Sequence, residues 1–337
     1  MDVREDQTGT VTLVLNDVSV VGVANHGVHI SDCSLADDCG GGGGGAGEGS
    51  DASILVRLTN VIIDDVGNGR FDADGLRVDE RSEGSVTLIA DASSFTHVGA
   101  DGVELDEGQD GDVQVNVSDA VFNNNGAYCD PSVLAAFLPE VDEAEFDQGQ
   151  TAADDIPGEI TGSPDDACFE REVDLYDDGT VEAYEFGIDL DDGFDVDEAG
   201  PGSIHLLMED SEIVGNLDEG LDFDEENEGG IVVSVLRTHA AGNNDDGYKI
   251  SEEDAGDVSG TFVMSAAAEN GGVGFVLEEA GSGDLALTAA NPVSFGNDGG
   301  DVSFELVQED EGAGGALIFG GAVAEPMELH GVVLEDN

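Results

Sequence analysis

A step of 27 residues recurs along most of this chain, and it constrains the fold more than any other feature. The anchor of each copy is the residue before a short apolar alternation: Gly75-Leu-Arg-Val-Asp-Glu, Gly102-Val-Glu-Leu-Asp-Glu, Gly193-Phe-Asp-Val-Asp-Glu, Gly220-Leu-Asp-Phe-Asp-Glu, Gly247-Tyr-Lys-Ile-Ser-Glu and Gly274-Phe-Val-Leu-Glu-Glu. The spacing is 27 from 75 to 102, and 27 again through 193, 220, 247 and 274. One more step reaches Asp301, outlying copies are read at Gly27 and Gly331, and Cys129 falls at the anchor place of another. Sixteen, fourteen and twelve residues before the anchor stand Val86, Leu88 and Ala90, then Val113, Val115 and Val117, and later Ile231, Val233 and Val235. A third apolar place, seven before the anchor, holds Phe95, Phe122, Ile213 and Ala240. Alternation at period two marks half-buried strands. Two or three such strands per copy cannot bury their inward face unless the next copy stacks on them.

Four residues before the anchor stand Asn125, Asn216, Asn243, Asn270 and Asn297. Asn tolerates left-handed backbone and bonds to its own main chain, so one Asn at the same corner of every turn predicts a stacked amide ladder. The pattern resembles the right-handed parallel β-helix of the pectate-lyase-like superfold, whose coils are of this size and commonly carry such a ladder. The resemblance implies an all-β solenoid of about nine coils, roughly 45 Å long at the inter-strand spacing, with 1–337 as a single domain. Helical arrays do not fit, because no copy carries a 3.6-residue stripe. An antiparallel sandwich is the remaining alternative.

Two stretches interrupt the repeat. The spacing from Gly27 to Gly75 is 48 residues, which diverts about one coil's length into a Gly-rich loop at 33–50 and a short insertion at 67–71. A larger insertion, 130–187, is bracketed by Cys129 and Cys168 and contains a candidate helix at 131–138. Cys33 and Cys39 flank the Gly-rich loop, and no His accompanies either cysteine pair at zinc spacing. Two local disulfides are the favoured reading over free thiols, and they imply an oxidising, extracellular or cell-surface setting. Residues 1–9 show no basic start followed by an apolar stretch, so no signal peptide is read there.

The chain carries 8 Lys+Arg against 78 Asp+Glu, a formal net charge of -70. So few cations argue against binding to nucleic acid or an anionic leaflet, and no apolar run reaches the roughly 18 residues that would insert in a membrane. The acids fall in register. One before the anchor are Asp74, Asp101, Asp192, Glu219 and Asp246; four after are Asp79, Asp106, Asp197, Asp224, Glu278 and Glu305; five after are Glu80, Glu107, Glu198, Glu225, Glu252 and Glu279. Neighbours in a parallel stack lie about 4.8 Å apart, where unit charges repel by roughly 1 kcal/mol in water and several at an effective dielectric near 20. Side-chain cations are too few to offset this. Calcium, which takes 6 to 8 oxygen ligands in flexible geometry, suits such columns. A diffuse acidic surface hydrated by monovalent salt is the competing reading. The column of Asp192, Glu219 and Asp246, lying in a turn, is the better metal candidate, and the two later columns read as solvated.

Within the insertion, the stretch from Asp174 through Asp178 and Gly179 to Glu185 resembles an EF-hand-type calcium loop, with Asp at the first and fifth places, Gly at the sixth and Glu at the twelfth. Tyr176 stands where the third ligand belongs. Because β-helices of the resembled superfold often act on polysaccharides, a lyase or glycoside hydrolase is the alternative reading. That group's Gly-His-Gly and Arg-x-Lys elements are missing; Asn25-His26-Gly27 is the nearest approach to the first. There is no Trp for a sugar platform, and Tyr248 sits at an inward apolar place. His97, His205 and His239 lack a Ser or Cys in register, so no hydrolytic triad is read. His26 and His330 are placed in the column before the anchor, and Arg237 and Lys249 on adjacent stack positions, where they form a cationic spot or neutralise nearby acids. The expected role is a calcium-loaded structural or adhesive module whose partners are calcium ions and a polysaccharide or another surface protein.

Overall fold

The apolar places of the repeat dictate three faces of a coil. The computed structural model describes residues 1–4, 9–32, 52–67, 73–80, 83–108, 110–129, 146–147, 170–175, 181–187, 190–298, 304–308, 314–320 and 327–330. Among them the strands form parallel sheets of ten, nine and eight strands, in which each strand pairs with its equivalent one coil away. Sheet I is built from the strands after the anchors, among them Leu76–Glu80, Val103–Glu107, Phe194–Glu198, Leu221–Asn227, Lys249–Asp254 and Phe275–Glu279. Sheet II holds Val86–Asp91, Val113–Ser118, Ile204–Glu209, Ile231–Leu236 and their equivalents, and sheet III the short strands Ser94–Val98, Val121–Asn123, Glu212–Val214 and His239–Ala241 with theirs. The chain is a right-handed parallel β-helix, and no helix occurs among the described residues.

The inward residues of all three sheets make one core. Val86, Leu88, Val113, Ile204, Phe95, Phe122, Ile213, Leu76 and Val78 are all fully buried. Aromatic rings stack up this core: Phe95 and Phe122 lie 5.2 Å apart, Phe122 and Phe194 5.4 Å, Tyr248 and Phe275 5.0 Å, Phe275 and Phe304 4.5 Å. The corner from sheet II to sheet III turns on one left-handed residue per coil, among them Ala92, Asp119, Asp210, Arg237, Met264 and Asn291, with φ between 49° and 55°. The corner from sheet III to sheet I carries the predicted amide ladder. The Nδ2 groups of Asn216, Asn243 and Asn270 donate to the Oδ1 of Asn243, Asn270 and Asn297 at 3.0, 3.1 and 3.0 Å.

Several register expectations need correction. Phe304 pairs with Phe275 and Met327 with Phe304, so the last two anchors are not Asp301 and Gly331. The step from Phe275 to Phe304 is longer than the repeat and that from Phe304 to Met327 is shorter. In consequence Glu305 lies opposite Val276 and not in the column of Glu278, and His330 pairs with Val307, outside the column before the anchor. Cys129 opens no strand of sheet I, because Val103–Glu107 pairs directly with Phe194–Glu198. Asp2–Arg4, for which the repeat gave no signal, adds a strand beside Val28–Ser31. The insertion contributes a separate antiparallel sheet of Phe146–Asp147, Glu170–Leu175 and Val181–Gly187. The candidate helix at 131–138 and the Gly-rich loop at 33–50 lie outside the described residues, as do Cys39 and Cys168.

Candidate metal centre

Parity along sheet I sorts the acids. Places one, three and five after the anchor face inward, and places two and four face outward. The column before the anchor forms one file at the turn. In it, three side chains accept the backbone N–H of the next coil's equivalent: Asp101 N–H donates to Asp74 Oδ1 at 3.2 Å, Asp192 N–H to Asp101 Oδ1, and Glu219 N–H to Asp192 Oδ1 at 2.7 Å. Asp246 Oδ1 accepts from Val273 N–H. Part of the compensation expected from metal alone therefore comes from main-chain donors, which sequence columns cannot display.

The outward residue two after the anchor closes over this file and divides it into two groupings. Asp74, Asp101 and Glu104, all buried, bring three ligand atoms within 4.8 Å of one another, and Asp192, Glu219 and Asp222 do the same. The first grouping contains Arg77, itself 1% exposed. The Arg77 guanidinium donates to Asp79 at 2.9 Å, Glu104 at 2.5 Å and Asp106 at 2.9 Å, and lies 3.5 Å from Asp74. His26 stands 3.1 Å from Asp74 and His29 2.6 Å from Asp79. Burial pushes the Asp74 carboxyl up, but His26 and Arg77 together hold it below the ordinary range. A cation already fills this place.

The second grouping differs. Lys249 Nζ reaches Asp222 at 2.6 Å and Glu219 at 3.9 Å, one positive charge against several negative ones. Burial, then Glu219, Asp222, Asp101 and Asp195, push Asp192 well above the usual carboxylate range. Burial, Asp222 and Asp218 push Glu219 up to about 10 against the pull of Lys249. Asp246, half-buried, is pushed to about 7 by burial and Asp245, opposed by its bond from Val273. A third grouping, Asp218, Glu219 and Asp245, is more open to solvent. The donor set is all carboxylate oxygen, the hard ligand type calcium selects, so the residues present fit that ion.

The other predicted places resolve variously. Asp178 lies outside the described residues. Asp174 and Glu185 fall on the antiparallel strands Glu170–Leu175 and Val181–Gly187, where Asp174 pairs with Ala183 and Glu172 with Glu185. The flanks of that loop are therefore strands. Arg237 and Lys249 form no common spot: Arg237 donates to Asp210 at 2.7 Å from both Nε and Nη2 at the corner after sheet II, while Lys249 lies on sheet I. A groove of about 640 Å³ runs along the Asn corner, lined by residues including His97, Asn124, Asn244, Glu269 and Asp298, with no Phe, Tyr or Trp in its lining.

The column five after the anchor departs most from its reading as solvated. Glu80, Glu107, Glu198, Glu225, Glu252 and Glu279 are 0–1% exposed. The missed signal lay in the sequence: parity puts them inward, and each is followed four residues later by glycine, at Gly84, Gly111, Gly202, Gly229, Gly256 and Gly283.

Comparison with protein-family models, with curated proteins and with solved structures finds no match to this chain. Its class rests on its own strand pairing and charge: an acidic right-handed parallel β-helix.

Proposed function

We propose that the chain is an elongated extracellular or cell-surface module, structural or adhesive in role, stiffened by calcium held at Asp192, Glu219 and Asp222. The observation that carries the reading is that buried all-carboxylate grouping, answered in part by Lys249. An ion bridging successive coils would tie them across the rungs next to which the insertion departs. The cysteine pairs Cys33/Cys39 and Cys129/Cys168 support an oxidising setting. The polysaccharide-enzyme reading gains nothing from the Asn groove, whose lining offers no Phe, Tyr or Trp as a sugar platform. The test is a thermal melt in calcium against sodium matched in ionic strength, with Asp192→Asn alongside. Calcium is expected to raise the midpoint of the parent chain in proportion to the logarithm of its concentration and to have much less effect on the variant. Equal midpoints in the two salts would reduce the acids to ordinary surface charge.

A further inference from the structure

The glutamate file on the inward face of sheet I is a separate structure from the metal grouping and has its own chemistry. Each glutamate lies at or within two residues of the end of its strand, where the chain turns toward sheet II, and the glycine four residues on makes room for the carboxyl. A Cβ at Gly202, Gly229 or Gly256 would stand 1.7 Å from the carbonyl oxygen of the preceding coil's glycine and 2.5, 2.2 or 2.6 Å from Oε1 of its own coil's glutamate. Some carboxyls fold over their own turn. Glu107 Oε1 accepts from Gly111 N–H at 3.2 Å, Glu198 Oε1 from Gly200 at 3.1 Å, and Glu279 Oε1 from Gly281 and Gly283 at 3.0 and 2.7 Å. The remaining oxygens, Oε2 of Glu198 and Glu279 and both oxygens of Glu225 and Glu252, receive no hydrogen from a donor group.

What faces those oxygens is more carboxyl. Glu198 meets Glu107 and Glu225; Glu225 meets Glu198 and Glu252, with Asp254 nearby; Glu252 meets Glu225 and Glu279, with Asp254 and Asp257 nearby; Glu80 meets Asp32 and Glu107. Two carboxylates turned oxygen to oxygen out of water cannot both ionise, whereas one hydrogen between them makes a short charge-assisted bond. The groupings that gather three ligand atoms within 4.8 Å lie elsewhere, so the file suits a hydrogen better than a coordinated ion. The sequence supplies the neutral form itself at the seventh place. Gln308 pairs with Glu279, and its Nε2 donates to Gly283 O at 2.8 Å.

We infer that the glutamates of this file share protons between adjacent coils, so that the corner from sheet I to sheet II is closed by hydrogen ions bound along an array. The inference does not depend on the calcium reading. Burial pushes Glu225 up to about 8, with Glu252 adding to it against the opposing bond from Glu198, and burial and then Glu279 push Glu252 to about 7 against the bond from Glu225. Burial likewise pushes Glu198 to about 8, with Glu225 adding to it against the opposing bond from Glu107. Carboxyls raised in this way bind protons more tightly folded than unfolded, so their support is present in full below about pH 4.5 and is lost as pH rises through about 7 to 8.

The experiment uses the full chain in chelator at one ionic strength. Thermal midpoints are followed from about pH 6 to about pH 9 for the parent, Glu225→Gln, Glu252→Gln and the exposed neighbour Glu253→Gln, which removes the same charge from solvent. Infrared spectra of the parent record the carbonyl stretch of un-ionised carboxyl groups over the same range. The parent midpoint is expected to fall with rising pH, the two file variants to lose about half of that fall or more, and Glu253→Gln to keep it. An infrared signal is expected at neutral pH and gone in strong alkali; calcium is expected to remove the share owed to Asp192 and Glu219, while the share lost in Glu225→Gln and Glu252→Gln is the same in calcium, sodium and chelator. Should the variants fail to fold, the parent spectrum in saturating calcium decides, with un-ionised carboxyl expected to remain. A neutral-pH spectrum without un-ionised carboxyl, or one that loses all of it in calcium, would overturn the proposal.

Discussion

Arg77 shows what a single residue must do in so acidic a chain. It is buried at 1% exposure among Asp74, Asp79, Glu104 and Asp106, and three of the four accept its hydrogens. Removing it leaves desolvated anions without the guanidinium that answers them, though His26 and His29 still stand beside Asp74 and Asp79, and breaking a buried pair in this way costs about 3–5 kcal/mol. Arg77→Met is therefore expected to destabilise by about that amount at neutral pH, measured by denaturant unfolding. At mildly acid pH the loss should shrink, because the abandoned carboxyls can then take up protons.

At the scale of strands and turns, the corner from sheet I to sheet II is the tightest place in the coil. Gly229 lies under its own glutamate with Gly202 O where a Cβ would go. Gly229→Ala is expected to cost about 2–3 kcal/mol through overpacking, whereas Gly9→Ala, in open space, should be silent; parallel urea titrations check both. This corner also shows what was legible in the sequence and what was not. The repeat step announced the strands, the core and the Asn ladder, because alternation and corner residues are local. The glutamate file was in view as a column and misread, since charge suggested water while parity and the trailing glycine pointed inward. The places of Glu305 and His330 were lost because the step between paired strands can lengthen or shorten without any change in apolar pattern. The main-chain donors that meet Asp74, Asp101 and Asp192 exist only once coils are stacked.

For the whole molecule, pH acts in two opposite senses. His97, then Thr96, hold Asp64 below its ordinary value, and Asp74 is lowered by His26 and Arg77 against its burial; such groups add stability above about pH 4 and lose it as pH falls. Glu80, pushed to about 11 by burial and by Asp32, Glu219 at about 10 and Glu225 at about 8 act the other way, losing stability as pH rises. Stability is expected to peak near about pH 4.5 to 5 in chelator, an optimum more acid than neutral, and calorimetry across the acid and alkaline limbs would locate it.

The rungs on either side of the insertion meet without a dislocation. Asp192 N–H bonds to Asp101, and Asn125 N–H bonds to Asn216 at 3.1 Å, in the same manner as coils that follow one another directly. Closing a longer detour adds little, since its entropy grows only with the logarithm of length. The spine therefore works as a socket: whatever passage of chain is plugged in between those two rungs can be exchanged for another, in evolution or at the bench, while the scaffold beneath keeps its shape.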